Sequence, residues 1–343
     1  MPLYKGTTEI AGGKLYKGTT EIENVYKGTT QIYQNSFDLH FLLVGGGGGG
    51  GGMGQGNYGT SVPNGSNEIY GAGGGGGGGV RTSYNASSPY NNRSYLGVAL
   101  DNGGNATLDN AVTGSLNVAY TIIIGDGGAV GTSLTTGSNG GQSKIQQGGT
   151  DIIVVNGGGG GGNNRNLSHQ GNYAHIGASG GAGGGGGNTG AGGSGGTYAF
   201  DGYSGGGSNY QYYGGLGGGG GGAATQRGSI SVAQTRKTSF GSYIKGNSSI
   251  IYVANGGGGG YGGFGNNPSN YLGEGGKGGH AWDNPSYNND YQSSVAGSPG
   301  GAILRFPDNI NYTATGSPVE TADGSFKILQ WPRTAGTYTI TFT

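Results

Sequence analysis

"FDLHFLLVGGGGGGGGMGQG", residues 37–56, passes directly from a short apolar stretch into eight consecutive glycines. Polyglycine is ordinarily a flexible tether, because glycine loses more conformational freedom on ordering than any other residue. A tether has no reason to recur behind the same kind of leader. Here it recurs: "DIIVVNGGGGGG" begins at Asp151 and "IIYVANGGGGG" at Ile250. Three matched leaders describe a building unit.

The composition narrows what that unit can be. Of 343 residues 92 are Gly, only 9% are charged and none is Cys. Collagen needs Gly at every third position with abundant Pro, and this chain has pure Gly runs and only 9 Pro. A disordered, glycine-rich solvating segment has no use for 24 Tyr and repeated Ile/Val tetrads. The sequence therefore predicts ordered structure. Lys plus Arg equals Asp plus Glu at 16 each. A chain of zero net charge lacks the basic footprint for phosphate backbones, which excludes nucleic acid as an expected partner. Without Cys the fold does not rest on disulfides or thiolate metal sites. No apolar segment approaches the ~18 residues of a membrane span, so membrane insertion is not expected. The N-terminal "MPLYKGTTEI" has no signal-peptide pattern. The expectation is a protein that reaches the outside by assembly into a particle.

Three regions follow along the chain. Residues 1–34 hold a repeat, "LYKGTTEI" at Leu3 and Leu15 and "VYKGTTQI" at Val25, with Tyr-to-Tyr spacings of 12 and 10 residues. That is room for one hairpin per repeat, with Lys-Gly at the turn and Thr, Tyr and Ile on the flanking strands. Such hairpins are too small to stand alone. This region reads as an attachment or oligomerisation module, against the plainer alternative of a decorative β-meander.

Residues 35–306 form the glycine-rich body. Gly runs of five or more occupy 45–52, 73–79, 157–162, 183–187, 217–222 and 256–260. Strand-like runs ("FLLV", "AYTIIIGDGG", "DIIVV", "SIIYVA", "GGAILRF") punctuate them. So do segments rich in Tyr, Asn and Ser, such as "RTSYNASSPYNNRSY" from Arg81. No helical period is present, and this much Gly opposes helix. Residues 307–343 read as a compact β end-piece, with "SFKILQW" and "GTYTITFT" as two strands across "PRTAG".

Polyglycine can itself be structure. In polyproline II geometry a run has three residues per turn and about 3.1 Å rise, and its N–H and C=O groups point outward. Without Cβ atoms several runs can pack side by side and satisfy one another's backbone groups. Eight residues would reach about 25 Å. The entropy cost demands a large cooperative block. The apolar leaders then become short strands beside that block, and the Tyr/Asn/Ser segments become loops at its ends. The expected fold is all-β with polyglycine II helices and essentially no α-helix. Its parts are N-terminal β-hairpin repeats, a body combining polyglycine II with a β-sandwich, and a short C-terminal β end-piece. Tyr offers large, stiff contact area, while Asn, Ser and Gly offer adaptable hydrogen bonding. The candidate receptor-contacting residues are Tyr84, Tyr90, Tyr95, Tyr210, Tyr212, Tyr213, Tyr271, Trp282, Tyr287 and Tyr291.

With these pieces in place the chain resembles the glycine-rich tail-fibre and adhesin proteins of bacteriophages. The residues that carry the resemblance are "HFLLVGGGGGGGG" and "VAYTIIIGDGGAVGTSLTTGSNGGQSKI" followed by "IIVVNGGGGGG". The closing glycine-rich order through "SPGGAILRFP" and the "YKGTTEI" repeats add to it. The resemblance implies a virion protein, a tail fibre or tail-tip adhesin, that recognises a host-surface glycan or outer-membrane protein. Residues 1–34 would contact other tail proteins. Phage fibres are usually trimers, whereas tip adhesins of the T-even-like kind are single chains, so a homotrimer is one open possibility. The "YKGTTEI" module and the end-piece depart from that pattern. A purely structural virion or extracellular filament protein is the alternative, and an ice-binding protein is a third, disfavoured by scattered Thr.

Catalytic chemistry is not expected. Glycoside cleavage needs two carboxylates across a cleft, and Asp283 with Asp290 is the best available pair. His40, His169, His175 and His280 are isolated and form no metal-ligand pattern. "DGGAVG" imitates a dinucleotide loop but no helix follows. No cofactor and no metal are therefore expected.

Overall fold

The computed structural model describes in full residues 36–52, 72–84, 109–132, 135–163, 177–181, 183–184, 194, 241–246, 251–254, 256–257, 272–278 and 293–343. For strands elsewhere it describes the backbone. Among the described residues there are 25 strands, numbered β1–β25 along the chain, and no helix. The chain is all-β, and its sheets are antiparallel apart from one short parallel pair.

The fold is built around β7 (Ser36–Val44), the apolar leader of the opening stretch. Its sheet has the order β11 (Val112–Ser115), β7, β21 (Gly301–Pro307), β24 (Phe326–Gln330), β23 (Val319–Asp323). Strand β9 (Val80–Thr82) takes the rest of the β7 edge: Val112 faces Leu39, while Val80 faces Val44. A second sheet has the order β14 (Thr150–Val155), β13 (Ser143–Gln147), β12 (Ala119–Ile124), β25 (Gly336–Phe342), β22 (Tyr312–Ala314). A third, small one consists of β10 (Ala86–Ser87), β17 (Phe240–Ser242) and β18 (Ile251–Val253).

Successive strand residues point to opposite faces, and β7 uses both. Phe37, Leu39, Phe41 and Leu43 join Tyr120, Ile122, Leu304, Trp331, Ile340 and Phe342 in the main core between the first two sheets. Rings of Phe37, Phe306 and Phe342 meet edge-on or tilted within it, at centroid distances of 4.9–6.3 Å. On the other face Leu42 and Val44 join Val80, Ile244, Val253, Leu272, Ile303 and Ile328 in a second core. Asp38, earlier on that face, is exposed and His40 is half-buried. The change from alternating "FDLH" to continuous "FLLV" thus marks where the second face becomes covered.

The C-terminal residues do not form a separate end-piece. Strand β24 pairs with β21 in the first sheet, while β25 pairs with β12 in the second. "SFKILQW" and "GTYTITFT" are therefore not partners of each other. Both carry core residues on alternate positions, and each sheet lacks an interior strand until the end of the chain supplies it.

Residues 45–52 continue β7 without a break. Their N–H groups donate in a three-way rotation. Gly45, Gly48 and Gly51 donate to the carbonyls of Gly79, Gly76 and Gly73, at 2.8–3.0 Å. Gly46 and Gly49 donate to Gly141 and Ser138, and Gly47 and Gly50 to Ser298 and Val295, at 2.9–3.0 Å. The carbonyls rotate likewise. Gly46 and Gly49 accept from Gly158 and Gly161, Gly47 and Gly50 from Gly128 and Gly131, and Gly48 from Gly276. Residues 45–52 therefore lie at the centre of six other segments. The three that accept from them run antiparallel, and the three that donate to them run parallel. The ring also closes on itself through bonds such as Gly76 to Gly159, Gly140 to Gly158, Gly141 to Asp126, Gly297 to Gly128, Ser298 to Glu274 and Gly75 to Gly276.

Five of these segments are direct extensions of the sheets. Residues 73–79 lead into β9, 125–131 leave β12, 137–141 lead towards β13, 156–162 leave β14, and 295–300 lead into β21. The glycine array therefore stands on the end of the sandwich, in line with its strands, where the sequence suggested strands beside the block. Ser143 is buried at the junction, its hydroxyl donating to the Val44 carbonyl at 2.7 Å and accepting from the Gly125 N–H at 3.0 Å. Position in the array sets composition. The central run is glycine throughout, whereas ring segment 125–131 buries Gly125, Gly128 and Gly131 and exposes Asp126, Ala129 and Val130. A side chain also joins the array. The Asn139 carboxamide accepts from the Gly160 N–H at 2.9 Å and donates to the Ser179 carbonyl at 3.0 Å.

In residues 1–34 the strands pair two by two: β1 (Leu3–Lys5) with β2 (Thr8–Ile10), β3 (Leu15–Lys17) with β4 (Thr20–Ile22), and β5 (Asn24–Lys27) with β6 (Thr30–Gln34). Lys5 pairs with Thr8 and Lys17 with Thr20, so each Lys is a strand residue and the connection is Gly-Thr rather than Lys-Gly.

Candidate functional site

The array has two ends, and the sandwich occupies one. Residues 45–52 run away from the sandwich and 73–79 return to it, so residues 53–72 join them at the far end. Residues 272–278 also run outward, since Gly273 lies against the Gly45 carbonyl and Gly278 against that of Ala72. Residues 295–300 return to β21, so 279–294 likewise join their segments at the far end.

Both of these connections contribute to a single sheet. Its order is β15 (Gln211–Tyr212), β16 (Gly215–Leu216), β8 (Ile69–Gly71), β19 (His280–Asn284), β20 (Tyr287–Gln292). Strand β8 leads straight into the glycine segment at residues 72–79, and the β19–β20 hairpin sits between two others. In register, Tyr70 pairs with Ala281, Ala281 with Tyr291, and Leu216 with Tyr70. The next row holds Ile69, Trp282 and Asp290. A bulge between Trp282 and Asn284 shifts the register so that Asn284 faces Tyr287.

Of the candidates named from sequence, Tyr212, Trp282, Tyr287 and Tyr291 all lie on this distal sheet. Tyr90, Tyr95, Tyr210, Tyr213 and Tyr271 lie outside the described residues, as do His169 and His175. Asp283 and Asp290 fall on β19 and β20 of the same hairpin. Tyr70 was not singled out from sequence. The signal was there in "IYGAGGGGGGG", an apolar pair before a glycine run, which marks the far-end counterpart of "FLLV".

Tyr84 lies at the sandwich end. It packs edge-on against His40, with ring centroids 5.3 Å apart, and under the Arg305 guanidinium at 4.7 Å. Arg305 is buried, stacks also on Phe326 at 4.2 Å, and donates to Asp323 at 2.7 Å and to the Ile244 carbonyl at 3.3 Å. Burial is the largest influence on His40 and lowers its pKa. A bond to Ser83 and the Asp38 charge act against this, and Arg305 adds to it. Lys245 nearby is also lowered, first by burial and then by Arg333. These are packing interactions that pin β17 and its following turn to the first sheet.

Among the described residues no three His, Cys, Asp or Glu side chains converge as a metal site would require, and no helix is long and apolar enough to cross a membrane. Comparison of the chain with family models, with curated proteins and with solved structures finds no match. The far-end sheet is the place where the topology gathers aromatic and amide residues from separate parts of the chain.

Proposed function

We propose that this protein is a recognition module, a phage virion tail fibre or tail-tip adhesin, that displays a receptor-contacting surface at the far end of a rigid glycine scaffold. The observation that carries this reading is the placement of the Tyr-, Trp- and Asn-bearing distal sheet. It stands at the opposite end of the glycine array from the sandwich, on chain segments that cross the array outward and back. We take the array itself to be a polyglycine II bundle. The support is its hydrogen-bond rotation with a period of three, its six-around-one neighbours, and the negative φ of the glycines at 45–52. On that geometry the central run spans about 25 Å, which holds the distal sheet well clear of the sandwich. Residues 1–34 are the attachment module, contacting other tail proteins or further copies of the chain as a homotrimer. Each of their hairpins has only two strands, too few for independent stability.

The test is an exchange of the β19–β20 hairpin for an unrelated hairpin of equal length, read by adsorption of the purified protein to a panel of bacterial strains. The recognition reading expects the set of bound strains to change while the thermal midpoint stays within a few degrees. Unchanged adsorption would leave the chain a purely structural virion or filament protein.

A further inference from the structure

We infer that the distal sheet binds an uncharged oligosaccharide on the face of the cross-strand row in which Tyr70 and Tyr291 flank Ala281. The inference rests on the reading of this end as the recognition end and names the ligand class for it. Of the eighteen residues in the five strands, five are Tyr or Trp, five are Asn or Gln and two are Asp; none is Lys or Arg.

Each count excludes something. Strands without Lys or Arg, with His280 as their one basic side chain, offer little to pair with phosphate, sulfate or carboxylate, and their two Asp repel such groups. Anionic glycans and nucleic acid are thereby disfavoured. Protein-binding hot spots draw on Trp, Tyr and Arg together, and Arg is absent here. What the composition does match is a sugar. The negative face of an aromatic ring attracts the polarised C–H groups on the face of a pyranose. Side-chain amides both donate and accept, and carboxylates accept twice, which suits neighbouring hydroxyls that are each donor and acceptor. Tyr70 and Tyr291 stand two strands apart, about 10 Å, with Ala281, the smallest residue of the row, between them. That spacing serves two sugar units of one chain better than a single ring.

The experiment is surface plasmon resonance of the full chain over immobilised gluco-, galacto-, manno- and N-acetylglucosamine oligosaccharides, with sialylated and phosphorylated oligosaccharides alongside. The expected result is saturable binding to at least one neutral oligosaccharide. It should weaken tenfold or more in Tyr70→Ala and Tyr291→Ala, and far less in Trp282→Ala, which lies in the next row and so on the opposite face. Thr339→Ala, at the exposed sandwich surface, should bind as wild type. Fluorescence of Trp331, buried in the sandwich, reports that each variant retaining it is folded. Binding confined to acidic oligosaccharides, no binding to neutral ones, or equal binding by all variants would overturn the inference. Whole-cell adsorption separates it from the reading beneath it. Adsorption that falls in Tyr291→Ala without any neutral-glycan binding keeps the recognition end and removes the glycan. Adsorption that persists in Tyr70→Ala and Tyr291→Ala removes both.

Discussion

Gly48 has backbone on every side. Its N–H donates to Gly76, its carbonyl accepts from Gly276, and a Cβ placed on it would overlap the Gly159 carbonyl. The same holds along the run: Gly45 and Gly51 abut the carbonyls of Asn156 and Gly162, while Gly47 and Gly50 abut those of Glu274 and Lys277. Because the obstacle is backbone that is itself bonded into the array, no side-chain rotation relieves it. Gly48→Ala is expected to cost about 3 kcal/mol or more, at the upper end of overpacking penalties. Gly148 is a glycine of another kind. It turns the β13–β14 hairpin with φ of 57°, and a Cβ there meets nothing within 4 Å. Asn tolerates that conformation, so Gly148→Asn is expected to stay within about 1 kcal/mol of wild type. Urea titrations of both variants check the contrast, and a harmless Gly48→Ala would mean that the run is not packed. The constraint on the eight glycines was readable from their number and their leader. The bridge that Asn139 makes between Gly160 and Ser179 was not, because one Asn among many carries no mark of what its carboxamide meets.

At the scale of elements, β7 shows what an apolar pattern conveys and what it omits. Leu42 and Val44 announce burial on both faces, but nothing in "FDLHFLLV" tells that the half-buried His40 pairs in register with the buried Arg305. That pairing has a consequence for pH. Burial lowers the His40 pKa below its ordinary 6.5 in the folded protein. Below pH 6.5 the unfolded chain therefore takes up a proton that the folded one refuses. The stability contributed by neutral His40 is complete above about pH 6.5 and is lost as pH falls from there through the folded-state value, after which the loss is constant. Denaturant unfolding between about pH 7.5 and about pH 5 should show wild type losing more stability than His40→Gln, with the gap between the two narrowing on acidification. Parallel pH profiles for the two proteins would contradict the assignment. The C-terminal strands illustrate the other limit. Their alternation identified them as strands, yet partner choice depends on which sheet lacks a member, a long-range property that local pattern does not hold.

For the whole molecule, the sequence carried the parts of the candidate site but not their gathering. Tyr70, Tyr212, Trp282 and Tyr291 are scattered over more than two hundred residues. Tyr70, Trp282 and Tyr291 share one sheet because successive glycine segments cross the array in opposite directions and deliver their connections to one end. The array is thus the only described link between the distal sheet and the sandwich, and the molecule holds a natural test of how firmly it couples them. It has two Trp. Trp331 is fully buried in the sandwich core, its indole N–H donating to the Thr315 carbonyl at 3.1 Å, and Trp282 lies on the distal sheet. Trp282→Phe and Trp331→Phe each leave one indole to report one end. Gly46 to Gly50 are each bonded to two ring segments, one through N–H and one through C=O, so the array opens only by losing many backbone bonds together, which makes its unfolding cooperative. In each single-indole protein the fluorescence midpoint is expected to coincide with the far-ultraviolet circular dichroism midpoint of that same protein. Gly48→Ala introduced into either background should lower both signals in step. If Trp282 instead melts at markedly lower denaturant than the bulk of its own chain, and Gly48→Ala moves Trp331 alone, the array is not a rigid strut and the distal sheet is a loosely tethered cap.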